Sequence, residues 1–149
     1  MNEPTVYASV VMRRDAVGGR WGGEQWRVAS VWPTGANIEL ETNAVRYDGH
    51  AIRLFRDEAE GYYLNLSSGR PAIFVHWRLD ENARPEVLDV TLSYNEAARW
   101  LDSGEQVEHV PMPDEMHVWA AEFVAQHYKP EPRKRRRPQS FMTPSEREA

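Results

Sequence analysis

Histidine is the first residue type to consider for chemistry in this chain, because it serves as a metal ligand and as a general base near neutral pH. The chain has five, at His50, His76, His109, His117 and His127. No two are three or four residues apart, the spacing that places two ligands on one helical face, so metal binding is not predicted. His76 lies in a β-like run, where a hydrogen-bonded sheet histidine is favoured over a ligand or a catalytic base.

Serine and carboxylate chemistry lacks a suitable arrangement. Ser67 and Ser68 lie in a predicted turn, and helix capping explains Ser93, so no serine is matched with a base and an orienting group. The acidic clusters at 57–60 and 80–81 are typical of solvated loops rather than of a desolvated catalytic pair. Cysteine is absent, which excludes thiol catalysis and iron–sulfur ligation by this chain. We therefore predict no catalytic residue and no bound cofactor.

Nucleotide-binding loops of the common kinds are also missing. No Gly-x-Gly-x-x-Gly opens a helix after a strand, and no phosphate-loop Gly-Lys-Ser/Thr occurs. Residues 18–23 contain four glycines, but the flexibility needed in a hairpin explains them better than anion binding does. Trp21 and Trp26 flank this turn, and core packing is favoured for them over a contact surface.

The basic tail is the clearest candidate for function. Residues 129–149 carry a net charge of +4. Since the whole chain carries −5, residues 1–128 carry −9. The charges cluster in one run followed by an apolar anchor: Arg133, Lys134, Arg135, Arg136, Arg137 and Phe141. Such a run repels itself and cannot bury its charge, so we expect the tail to be extended and to dock on an acidic protein surface. A merely solubilising terminus or a nucleic-acid contact is the alternative.

The elements that must position these residues begin with short strands. Residues 5–14 alternate apolar side chains on one face and, with residues 25–32, predict a hairpin. Further β-like runs at 50–56, 62–66 and 72–79 predict an antiparallel meander. Residues 87–92 predict one more strand.

Two helices are predicted after the strands. Ser93-Tyr94-Asn95-Glu96 matches a capping box, so a helix is expected from Tyr94 to about Ser103, closed by Gly104. The cap should contribute about 1 kcal/mol. A second helix over 113–128 follows from apolar residues at spacings of three and four, with Pro113 at its first position.

Together these signals predict one α+β domain over residues 1–128, followed by a flexible basic tail over 129–149. The simplest architecture is a single antiparallel sheet, open or partly closed, with two C-terminal helices. No run approaches the roughly 18 apolar residues of a membrane span, and the N-terminus lacks a signal-peptide pattern. We expect a cytoplasmic protein.

Several segments together resemble an uncharacterised bacterial family, a domain of unknown function commonly encoded beside formate dehydrogenase structural and maturation genes. The matching segments are residues 10–14, 21–26, 75–78, 91–97, 110–113 and 127–137. The resemblance implies a role near formate dehydrogenase assembly, and some members have been labelled as molybdopterin-guanine-dinucleotide biosynthesis proteins.

The combined expectation is a non-catalytic accessory or assembly protein. Its partner would be a formate dehydrogenase subunit or a maturation factor, and the basic tail would be the docking segment. A nucleic-acid-binding module that uses the arginine tail is one alternative, although the acidic body would repel phosphates. An enzyme of molybdopterin cofactor biosynthesis is the other.

Overall fold

The computed structural model describes residues 4–18 and 22–130. Within these residues the chain forms six strands, a short 3₁₀ turn and three helices. In order they are β1 (Thr5–Ala16), β2 (Glu24–Pro33), β3 (Ala44–Arg53), the 3₁₀ turn (Arg56–Glu58), α1 (Ala59–Leu66), β4 (Ala72–Leu79), β5 (Pro85–Thr91), α2 (Tyr94–Asp102), β6 (Val107–Pro111) and α3 (Asp114–His127). The α+β class, the antiparallel pairing and the two C-terminal helices are confirmed.

The strands form two three-stranded sheets, so the single predicted sheet is wrong. Their strand orders are β2-β1-β3 and β5-β4-β6, with every pairing antiparallel. The predicted hairpin of β1 and β2 is confirmed. However, β3 pairs with β1 rather than with the strands that follow it, which contradicts the meander. Alternation within a run predicts a strand but not its partner, because pairing depends on residues far apart in sequence.

Side chains from both sheets pack into one apolar core. In β1, Val10 and Met12 are fully buried on the face predicted to be apolar. Val75 and Trp77 of β4 face the same core and are 0% and 3% exposed. Val11, on the opposite face of β1, is also buried, so both sides of this strand are covered.

Helix α1 corrects the prediction that residues 62–66 form a strand. Tyr62 is 1% exposed, and its ring packs edge-on against Phe123 of α3 with centroids 5.8 Å apart. Its hydroxyl accepts a hydrogen bond from the Phe55 N–H at 2.9 Å. Adjacent tyrosines have high β propensity, but these tertiary contacts are available only to the helix and override that preference.

Asn65 fixes α1 to the second sheet. Its Nδ2 donates to the carbonyl oxygens of Ala72 and Leu92, both at 2.8 Å, and its Oδ1 accepts from the Ala72 N–H at 2.9 Å. The side chain is 2% exposed. One amide therefore satisfies backbone groups where β4 begins and just after β5 ends, groups that would otherwise be buried without partners.

The two late helices lie close to their predicted bounds. Ser93 caps α2, since its Oγ accepts from the Glu96 N–H at 3.0 Å. Gly104 follows with φ 85°, the left-handed conformation predicted for its position. Pro113 is the N-cap of α3 rather than its first helical residue, and β6 was not predicted.

Helix α2 covers the outer face of the β5-β4-β6 sheet. Tyr94 packs edge-on against Phe74, with centroids 6.3 Å apart, and Trp100 stacks on His76 at 4.9 Å. Helices α1 and α3 pack against each other. In the part of the chain that the structure describes, no helix is long and apolar enough to cross a membrane.

Candidate functional site

The candidate site lies along the seam, meaning the line where β2 of one sheet and β6 of the other face each other as edge strands. Pro33 ends β2 and Pro111 ends β6. The Met112 N–H donates to the Pro71 carbonyl at 3.0 Å. Because backbone groups of successive strand residues point to opposite sides, the backbone of Pro111 points away from β4 and toward the seam. Proline offers no N–H there, which disfavours backbone pairing between the sheets at this end.

Glu108 connects the two sheets across the seam with its side chain. Its Oε1 accepts from Arg27 Nε at 3.0 Å and from the Val28 N–H at 3.2 Å, both on β2. Its Oε2 accepts from the Trp77 indole N–H at 3.0 Å. The side chain is only 17% exposed. A carboxylate thus takes the place of a strand partner for an edge amide of β2.

The tryptophan pocket opens on one side of this bridge and has a volume of about 730 Å³. Trp26, Trp77 and Leu79 form its apolar part. The Arg14 guanidinium lies over the Trp26 ring at 5.5 Å and pairs with Glu24 at 3.1 Å. The remaining lining residues are Gln25, Arg27, Ala83, Gln106 and Glu108. Two indoles in one pocket, edged by charged groups, suit a peptide-like ligand.

The proline pocket lies on the other side of the bridge and has a volume of about 380 Å³. Trp32 is 40% exposed here, and its indole N–H donates to Ser30 Oγ at 2.7 Å. Its other lining residues are Ala29, Val31, Pro33, Val110, Pro111, Met112, Pro113 and Glu115. A half-exposed tryptophan among prolines offers apolar contact area with little side-chain entropy to lose, which favours protein recognition.

His76 is a hydrogen-bonded sheet histidine, as predicted. Its Nδ1 lies 3.3 Å from Asp89 Oδ2 and its Nε2 lies 2.7 Å from Glu105 Oε1. Carboxylates only accept, so both contacts are hydrogen bonds at once only when both ring nitrogens carry protons. The cluster ties β5 and the segment after α2 to β4. The described residues contain no group of three or more potential ligands arranged to hold a metal ion.

Ser93 acts as a structural cap, as predicted, and is fully buried. Its hydroxyl also donates to Glu58 Oε1 at 2.6 Å, while Arg99 donates to the other oxygen of Glu58. Glu96 does not complete the capping box; its carboxylate accepts from Thr91 Oγ1 at 2.6 Å. The hydroxyl is thus occupied in holding α1 and α2 together.

The predicted docking residues lie outside the described residues: Arg133, Lys134, Arg135, Arg136, Arg137 and Phe141. The structure does describe the point where the tail begins. Tyr128, just after α3, stacks on the 41% exposed Tyr63 with centroids 4.8 Å apart, and Lys129 and Pro130 are exposed. Nothing in the described residues places the tail beside the seam.

Sequence reasoning missed the seam residues. Glu108 is one of many carboxylates, and nothing in its neighbours indicates that it accepts from three groups on two sheets. Trp32, by contrast, precedes a proline at a strand end, which is a signal that could have identified an exposed edge aromatic. Trp21 and Trp26 were both assigned to core packing. Trp21 lies outside the described residues, whereas Trp26 does pack against the core while also lining the tryptophan pocket.

Comparison with known proteins gives one match. The family model described as "Protein of unknown function (DUF3305)" matches residues 8–137. No curated protein and no solved structure matches the chain. The family model covers most of the sequence and confirms an uncharacterised domain family, so the chain belongs to the DUF3305 family of proteins of unknown function.

Proposed function

We propose that this protein is a non-catalytic accessory or assembly protein of the cytoplasm that binds another protein through the seam and the basic tail. The partner we propose is a formate dehydrogenase subunit or one of its maturation factors. In this proposal the folded body supplies shape recognition, and residues 129–149 supply electrostatic attraction.

The observation that carries the proposal is the open proline pocket. The conspicuous polar groups of the body contact one another: Glu58 holds Ser93 and Arg99, and His76 lies between two carboxylates. Trp32, in contrast, presents an apolar surface to solvent. An apolar pocket next to charged pairs has the composition of a recognition surface with an apolar centre and a polar rim.

The charge distribution supports a second point of contact. The tail has a net charge of +4 and the body −9. The acidic body itself attracts the tail, so an acidic partner surface must attract the tail more strongly than the body does. Attraction between oppositely charged proteins raises the association rate and falls with salt. We therefore expect partner binding to be faster at low ionic strength.

The formate dehydrogenase assignment comes from the family resemblance. Residues from three of the segments that carry it line the two pockets of the seam, namely Trp26, Trp77 and residues 110–113. A cysteine-free chain cannot ligate an iron–sulfur cluster or transfer sulfur through a thiol. Holding an immature subunit or guiding delivery of a metal cofactor is compatible with these residues.

The proposal is tested by measuring association of the full chain with purified formate dehydrogenase subunits and maturation factors. Trp32→Ser should weaken binding to the true partner at least about tenfold, since central interface tryptophans typically contribute more than 1.4 kcal/mol. Leu101→Ser is the matched control: Leu101 of α2 is also exposed, but it lines neither of the two seam pockets. Equal weakening by both variants, or binding to none of these proteins, would contradict the proposal.

The two alternatives give different results in the same experiments. A nucleic-acid module would bind generic DNA or RNA tightly, with a steep salt dependence that survives competition by formate dehydrogenase. An enzyme of molybdopterin biosynthesis would bind a pterin or nucleotide, with no requirement for the tail.

A further inference from the structure

Strand β6 is shorter than the strands beside it, and this leaves space in the tryptophan pocket. Strand β6 begins at Val107, and Gln106 just before it is the first residue beside β4, since its carbonyl accepts from the Trp77 N–H at 3.2 Å. The Glu105 N–H already donates to the Trp100 carbonyl at 3.0 Å, toward α2. Strand β4 continues to Leu79 without β6 at its side.

The backbone of Leu79 faces this space. The Asp80 N–H donates to the Arg84 carbonyl at 2.8 Å, so the backbone groups of residue 80 point toward the β5 side of β4. Backbone groups of successive strand residues point to opposite sides, so the N–H and C=O of Leu79 point to the β6 side. The Trp77 N–H points the same way and reaches Gln106, which fixes the alternation.

The start of β2 faces the same space from the other sheet. The Val17 N–H donates to the Gly23 carbonyl at 2.8 Å, so the backbone N–H and C=O groups of residues 23, 25 and 27 point toward β1. The Val28 N–H points the opposite way, to Glu108. By alternation, the N–H and C=O of Glu24 and Trp26 also point to the seam. Two strand edges with outward backbone groups therefore border the tryptophan pocket, whose volume of about 730 Å³ is within the usual range for ligand sites.

The side chains around this space differ between its two faces. Trp26 and Trp77 lie on the inner face and pack against the core. Leu79 shares the face of Trp77 by alternation and is 51% exposed in the pocket. Alternation puts Arg27 and Arg78 on the outer face, where their side chains are 51% and 63% exposed. Each guanidinium donates from Nε to a carboxylate of the protein and carries four further N–H groups. The inner face suits an apolar side chain, and the outer face suits a carboxylate.

We propose that the tryptophan pocket binds an extended segment of a partner protein as an added β-strand in the line that β6 leaves vacant. The segment pairs with the backbone of Trp26 and Leu79 and joins the two sheets at this end. Its inward side chain is apolar, and its outward side chains are acidic, facing Arg27 and Arg78. This inference rests on the proposed protein-binding function and names the kind of segment recognised.

The test uses a fluorescein-labelled, capped hexapeptide of alternating Asp and Val with the full-length protein. We expect saturable binding that weakens at least about tenfold when Lys replaces each Asp, because like charges would then face the two arginines. Arg78→Gln should weaken binding about two- to fivefold, as expected for an exposed charge pair. Arg70→Gln is the matched control, since Arg70 is an exposed arginine in the loop before β4.

Amide hydrogen exchange measured by NMR supplies the structural readout. Saturating peptide should slow exchange of the Trp26 and Leu79 amides at least about tenfold. The Val28 amide, already bonded to Glu108, should change little. Absence of binding at millimolar peptide, equal binding by a block peptide of three Asp followed by three Val, or unchanged exchange at Trp26 and Leu79 would overturn the inference. If the peptide fails while Trp32 and the tail still govern partner association, only the added-strand inference is lost.

Discussion

Gly61 of α1 lies directly against Ser93, so that a β-carbon on residue 61 would overlap the Ser93 hydroxyl oxygen. Ser93 is fully buried, and its hydroxyl bonds both to the start of α2 and to Glu58. The missing side chain at position 61 therefore permits the close approach of α1 to the capped end of α2. Helix propensity alone would favour alanine here, so packing determines the residue.

Gly61→Ala should destabilise the protein by about 2–3 kcal/mol, because the added methyl group must displace a buried cap. Thermal or urea denaturation measures the change. Gly18→Ala is the control, since a β-carbon at Gly18 meets nothing within 4 Å, and it should change the free energy of unfolding by less than about 0.5 kcal/mol. A stabilising Gly61→Ala would show that α1 does not pack on Ser93 as described.

Ser93→Ala should also cost about 2–3 kcal/mol, more than the roughly 1 kcal/mol predicted for a cap alone. The addition comes from Glu58, whose carboxylate loses a hydroxyl donor in a partly buried position. Ser103→Ala at the exposed C-terminal end of α2 is the control. In a double-mutant cycle with Glu58→Ala, which removes the acceptor, additive effects would indicate that the Ser93–Glu58 bond contributes nothing.

The cap of α2 shows how far sequence reasoning reaches. Ser93 and Glu96 are close in sequence, and their pattern predicted the helix start correctly. Glu58 is 35 residues away from Ser93, and no local pattern indicates that contact. Residues 62–66 were misassigned for the same reason, since Phe123 and the Asn65 hydrogen bonds decide their conformation. Local periodicity predicts elements, whereas pairing and the seam depend on contacts between distant residues.

Glu108→Gln should destabilise the protein by about 1–3 kcal/mol, because one carboxylate oxygen becomes an N–H₂ group facing a donor. The resonance of the Trp77 indole N–H should shift, since that group loses or changes its acceptor. Glu24→Gln in the same pocket is the control. It removes only an exposed ion pair with Arg14, so it should cost at most about 1 kcal/mol. If the two substitutions cost the same, the seam is not held by Glu108.

Asp48 should show the effect of Ser9 on its titration. Hydrogen bonds from Ser9 and then Arg46 lower the pKa of Asp48, so its folded-state pKa lies below that of the unfolded chain. The stabilisation it provides is therefore present above the unfolded pKa and is lost as pH falls through the folded pKa. Ser9→Ala should raise the pKa of Asp48 in a carboxyl NMR titration. The pKa of Asp15, lowered by Arg13, should stay unchanged; an unaltered Asp48 titration would contradict this account.

Deleting residues 130–149 should leave the body folded but strongly weaken partner association, and two substitutions should separate the contributions of the tail. Replacing Arg133, Lys134, Arg135, Arg136 and Arg137 with glutamine should slow association and reduce its salt dependence, because long-range attraction acts on encounter. Phe141→Ala should instead raise the dissociation rate, since a ring that fills a pocket acts after encounter. Surface plasmon resonance of the wild type, the deletion and both variants on an identified partner measures both rates. Equal kinetics for all four proteins would reduce the tail to a solubilising segment and leave partner binding to the seam alone.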